Sequence, residues 1–63
     1  MTKKEFAKQM KAISDQLEQD TRNGYPDEEE AHILADILMC KLLKDLGYGE
    51  AVDIFEKMPK MYA

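Results

Sequence analysis

Apolar residues are densest between residues 31 and 46, where nine of sixteen positions are large and apolar or cysteine. At about 100° per residue, the turn of an α-helix, they form two separate stripes. The wide stripe consists of Leu34, Leu38, Met39, Leu42, Leu43 and Leu46. The narrow stripe, named the isoleucine strip below, consists of Ile33, Ile37 and Cys40. A surface helix normally has one stripe. This helix is therefore predicted to be covered either by the chain on several sides or by a second copy of the chain.

A narrower apolar seam lies nearer the N-terminus. Its residues follow at spacings of four, three and four, which predicts an amphipathic helix over about 3–22. They are Phe6, Met10, Ile13 and Leu17. Thr2 and Glu5 have the spacing of a capping box at the start of this helix. Gly24 is predicted to end it in the left-handed conformation.

The second helix is predicted over about 28–46. Asp27 is its expected N-cap, and the three glutamates that follow suit the positive end of the helix dipole. Gly47 is the expected C-terminal glycine, which places Tyr48 and Leu43 as the apolar pair of a Schellman motif. A short third helix is predicted over about 50–58, because Pro59 prevents its continuation.

These elements predict a single all-α domain over residues 1–63: an antiparallel helical hairpin, with the third helix folding back across it. A chain of 63 residues buries only about 60% of its unfolded surface. Small domains usually add disulfides, a metal or oligomerisation. Cys40 is the only cysteine, so a disulfide within the chain is excluded. We therefore expect a homodimer or higher homo-oligomer, assembled as a helical bundle.

Composition narrows the function classes. The net charge of −4 argues against direct nucleic-acid binding, which normally uses a basic patch. The N-terminal residues lack the apolar segment of a signal peptide. The apolar run of the second helix is shorter than the roughly 20 residues of a membrane span and is interrupted by charges. We expect a cytoplasmic protein that has no membrane partner.

The most specific chemical alternative to a purely apolar binding protein is a metal site. Glu29 and His32 have the Glu-x-x-His spacing of ferritin-like di-iron helices, with Asp36 one turn further on and Glu18 on the first helix. However, Glu29 lies in the first helical turn, where acidic residues are expected for capping alone. A solvated or salt-bridged His32 is the preferred interpretation, with no cofactor.

Catalytic motifs do not emerge from the pattern. Cys40 lies two helical turns from His32, which is too far for direct activation, and a buried thiol is the simpler interpretation. The sequence contains no nucleophile elbow, phosphate-binding glycine loop or zinc-spaced cysteine pair. We expect a protein that is not an enzyme. The tyrosines at 25, 48 and 62 leave open a nucleotide or other small ligand held between subunits.

The segment from Leu46 to Ala63, LGYGEAVDIFEKMPKMYA, resembles the C-terminal end of short helical proteins of bacteriophages and prophages. The resemblance implies a phage or mobile-element origin and assigns no activity and no site residues. Small phage proteins often act by binding, including as inhibitors or sponges of host defence. The resemblance therefore favours a protein that binds its target stoichiometrically in the host cytoplasm.

Together these observations predict non-catalytic binding, both to a second copy and to a protein partner. The expected assembly residues are the isoleucine strip, with Met10, Ile13 and Leu17 as the seam within the chain, although the two sets could exchange roles. The expected partner-facing or tail-docking residues are Phe55, Met58, Met61 and Tyr62.

Overall fold

The computed structural model describes residues 1–59 and consists there of three α-helices without strands. They are α1 (Lys3–Arg22), α2 (Glu28–Asp45) and α3 (Gly49–Lys57). The prediction of an all-α fold with a helical hairpin is confirmed, and each helix boundary lies within one residue of its predicted position. Gly49 belongs to the first turn of α3. The predicted tail residues Met61 and Tyr62 lie outside the described residues.

The two long helices begin at the predicted caps. Thr2 Oγ1 accepts a hydrogen bond from the Glu5 N–H at 3.1 Å, and Glu5 Oε1 accepts from the Thr2 N–H at 3.0 Å. At α2, Asp27 Oδ1 accepts from the Glu30 N–H at 3.0 Å. Each bond satisfies a donor that the first helical turn leaves without a partner. Short side chains next to the apolar runs therefore fix where α1 and α2 begin.

Glycines end both long helices in the predicted way. Gly24 and Gly47 have φ angles of 84° and 95°, a conformation that favours glycine. After Gly47, the Tyr48 N–H donates to the Leu43 carbonyl at 2.9 Å, and the Gly47 N–H donates to the Lys44 carbonyl at 3.0 Å. These two bonds form a Schellman motif. It turns the chain so that α3 begins two residues later.

The helices lie side by side, with α2 in the middle. α2 contacts α1 and α3, whereas no contact joins α1 to α3 within the described part of the chain. The expectation that the third helix folds back across the hairpin is therefore wrong: α3 packs on α2 alone. Lys44 of α2 reaches Glu56 of α3 at 2.9 Å, and its hydrogen bond to Glu56 raises the pKa of the Lys44 ammonium.

This arrangement is a single layer of helices. Its extents are 39 × 30 × 7 Å. The shortest extent is little more than the backbone diameter of one helix, about 5 Å. Among residues 1–59, only Leu38 and Val52 are buried. The wide stripe of α2 is therefore only partly covered, since α1 contacts one flank of α2 and leaves several of its leucines and Met39 in solvent.

Candidate interaction surface

The chain exposes more surface than its mass requires. Its accessible surface is 5348 Å². A compact folded monomer of 7.3 kDa exposes about 4,200 Å². Much of the excess is apolar, because twelve large hydrophobic side chains of residues 1–59 are exposed. The candidate functional feature of this protein is therefore an apolar surface rather than a cluster of polar groups.

One continuous apolar depression lies between α2 and α3, and we name it the α2–α3 groove. Its volume is about 430 Å³. Its lining residues are Asp36, Met39, Cys40, Leu43, Tyr48, Ala51, Val52 and Phe55. Met39 and Leu43 are 41% and 42% exposed, and Tyr48 is 59% exposed. Of these lining residues Asp36 alone is charged, so the groove presents an almost uninterrupted hydrophobic surface.

A second depression, of about 520 Å³, contains the isoleucine strip. Ile33 and Ile37 are exposed, and Cys40 is half-buried. This depression differs from the groove because five charged residues share its wall. They are Asp36, Lys41, Lys44, Asp45 and Glu56. The two depressions share Asp36 and Cys40. Ile37 and Met39 are two residues apart, or about 200° around α2, so Ile37 and Met39 lie on opposite sides of the layer.

Two residues of the seam face α2. Ile13 and Leu17 line a shallow depression together with Ala31 and Leu34 of α2. Met10, Ile13 and Leu17 are all half-buried, and none of them is fully enclosed. Ile13 and Leu17 thus belong to the contact within the hairpin. Because only one helix packs against the seam, its side chains remain partly exposed to water.

The four residues of the metal alternative do not form a site within one chain. Glu18 pairs with Arg22 of its own helix at 2.6 Å. Residues 1–59 contain no group of three His, Cys, Asp or Glu side chains that could hold a metal ion. Glu29 and His32 are exposed on α2, and Asp36 is half-buried.

The expected partner-facing residues separate in the structure. Phe55 is 38% exposed and lines the α2–α3 groove, whereas Met58 is 52% exposed at the end of α3. Sequence reasoning missed the rest of the groove because it placed Met39 and Leu43 in a covered stripe. One signal was available: the Schellman motif brings Tyr48 next to Leu43, and Ala51 and Phe55 follow Tyr48 at helical spacing.

Comparison of the chain with protein-family models, with curated proteins and with solved structures returned no match. Among the helices of residues 1–59, none combines the length and the apolar character that crossing a membrane requires.

Proposed function

We propose that this protein acts by non-catalytic binding: it associates with itself and binds a protein partner. The observation that carries the proposal is the exposed apolar surface on a single helical layer. Exposed apolar patches of this kind mark interaction sites in stable proteins. Secondary-structure elements with an apolar face are stabilised when a second layer covers that face.

The two sides of the layer suit two different contacts. The α2–α3 groove is almost free of charge, whereas the isoleucine strip has lysines and acidic residues around it. Apolar centres with polar rims are typical of interfaces between separately folded proteins. A chain with one surface of each kind has room for a permanent contact and an exchangeable one. This supports a protein partner in addition to self-association.

The resemblance of residues 46–63 to short phage and prophage proteins supports a role as an accessory protein or as an inhibitor of a host system. Such a protein acts stoichiometrically, through the surface it presents. A helical layer with exposed apolar side chains on both sides, as residues 1–59 form it, fits this mode of action.

The experiment is the solution mass from light scattering, measured on metal-free samples and on samples loaded with iron or zinc. We expect a mass of at least twice that of the 7.3 kDa chain, independent of metal. A stable monomer across the micromolar range would contradict the self-association. A mass that rises only with metal would favour the Glu29 and His32 alternative instead.

A second candidate function is supported by the dimensions of the groove. A volume of about 430 Å³ lies within the range of roughly 300–1,000 Å³ for small-ligand pockets. A nucleotide or another small molecule held between subunits would make the protein a sponge. Native mass spectrometry of the freshly purified protein tests this. A ligand that co-purifies and raises the melting temperature when added back would favour the sponge.

A further inference from the structure

We propose that a second copy of this chain fills the α2–α3 groove, giving a symmetric homodimer. The proposal rests on the self-association proposed above and assigns it a surface. It moves the contact between copies from Ile33 and Ile37 of the isoleucine strip, where the sequence placed it, to the side of α2 that presents Met39 and Leu43. The contact residues are Met39, Leu43, Tyr48, Ala51 and Phe55.

The exposed area matches what one dimer interface removes. The accessible surface of 5348 Å² exceeds that of a compact monomer of this mass by about 1,100 Å². A standard interface buries about 800 Å² on each partner. One copy stacked on one side of the layer would therefore bring the exposed surface of each chain close to that of a compact protein.

Charge favours the groove over the strip for this contact. In a two-fold interface the same surface of both copies is used, so every charged residue within it is desolvated twice. Of the residues that line the groove, only Asp36 carries a charge. The wall of the strip includes Lys44, which is already paired with Glu56 at 2.9 Å. Burying that pair costs desolvation, whereas burying the groove removes mainly apolar surface from water.

The small core favours another copy as the occupant. Leu38 and Val52 are the only buried side chains among residues 1–59, so a cover is needed whenever the chain is folded. A foreign protein would have to be present at equal concentration from the moment of synthesis. A second copy meets this condition by definition. Obligate homodimers often have no stable folded monomer for the same reason.

The first test compares two matched variants of α2. Met39→Lys places a charge in the groove, and Ile37→Lys places the same charge on the strip. We expect Met39→Lys to raise the dimer dissociation constant by about 100-fold or more, because each copy then has to desolvate an ammonium group in an almost entirely apolar contact. We expect Ile37→Lys to change it by less than about threefold. Sedimentation equilibrium measures both constants, and circular dichroism measures the helix content of each sample.

The second test needs no substitution and decides the outcome if Met39→Lys does not fold. Chains with ¹³C-labelled methionine methyl groups are mixed with unlabelled chains, and nuclear Overhauser effects between the two are recorded by isotope filtering. We expect contacts between the Met39 methyl group of one chain and ring protons of Tyr48 or Phe55 of the other. Their absence in a dimeric sample overturns the proposal.

The remaining outcomes separate this inference from the proposed function. A dimer that Ile37→Lys dissociates and Met39→Lys leaves intact overturns the groove assignment but keeps the self-association. A monomeric wild type overturns both. A monomer in which the Met39 methyl group contacts Tyr62 of its own chain identifies the C-terminal tail as the occupant. A dimer that lacks Met39 contacts between chains also overturns the groove assignment, and the occupant of the groove is then a different protein or a small ligand.

Discussion

Gly47 and Gly49 lie two residues apart and differ in what they require of the backbone. Gly47 has a φ of 95°, whereas Gly49 is the first residue of α3. A Cβ atom at either position would meet no atom within 4 Å. We therefore expect Gly47→Ala to lower the free energy of unfolding by about 1 kcal/mol through backbone strain alone. Urea unfolding at one fixed chain concentration measures this change.

Gly49→Ala is the matched control and should act in the opposite direction. Alanine in an unstrained helical position raises the free energy of unfolding by about 0.4–1 kcal/mol, because it restricts the unfolded chain. Equal destabilisation by both substitutions would show that lost space, rather than the sign of φ, decides the outcome.

Glu5 makes the start of α1 sensitive to pH. The Thr2 N–H and then the Thr2 hydroxyl hold the pKa of the Glu5 carboxyl below its ordinary value of 4.5. Because the folded pKa is the lower one, Glu5 contributes stability above pH 4.5, and this is lost as the pH falls through the folded pKa. We expect Thr2→Ala to raise the Glu5 pKa only part of the way towards 4.5, because the backbone N–H of residue 2 still donates to the carboxylate. Carboxyl ¹³C titration by NMR measures both values. A Glu5 pKa that is the same in the two proteins would exclude the hydroxyl contribution.

At the scale of the element, α3 depends on one buried side chain. Val52 is 3% exposed, whereas Ile54 of the same helix is 61% exposed. Removing the two buried methyl groups in Val52→Ala should cost about 1.5 kcal/mol. Ile54→Ala should change stability by less than about 0.5 kcal/mol. Amide hydrogen exchange distinguishes the two, since only Val52→Ala should lower protection throughout α3.

The opposite result would also be informative. If Ile54→Ala lowers protection as much as Val52→Ala does, then Ile54 is covered in solution and the contact between copies extends over the outer side of α3. Both substitutions replace a β-branched residue with alanine, so their effects on intrinsic helix propensity largely cancel in the comparison.

The helix boundaries were predictable because they depend on neighbours in sequence. Every hydrogen bond that caps a long helix joins residues no more than five positions apart. These are the bonds of Thr2 with Glu5, of Asp27 with Glu30, and of Tyr48 with Leu43. The placement of α3 was not predictable in this way. Whether α3 crosses the hairpin or packs on α2 alone depends on the three residues between the helices and on side-chain packing, neither of which has a periodic signal.

The candidate site was only partly predictable from the sequence. The two stripes of α2 correctly indicated more apolar surface than one helix covers. They did not show that α1 would occupy only one flank and leave Met39 and Leu43 exposed, at 41% and 42%. That outcome depends on α3 being nine residues long and lying beside α2 rather than over it.

At the scale of the whole molecule, a layer 7 Å thick cannot enclose a core by itself. If the second layer comes from another copy, folding and association are one equilibrium. The apparent free energy of unfolding should then rise by about 1.4 kcal/mol of dimer for each tenfold increase in chain concentration. Urea unfolding at several concentrations, followed by circular dichroism, measures this slope.

The same series distinguishes an intrinsically stable monomer from an assembled protein. A midpoint that is independent of concentration over a hundredfold range would mean that one chain folds without a second copy. Removal of residues 60–63 is the matched control, because it deletes Met61 and Tyr62 and leaves all three helices complete. An unchanged concentration dependence in the truncated chain would show that the second layer comes from another molecule, since the tail would then contribute no cover.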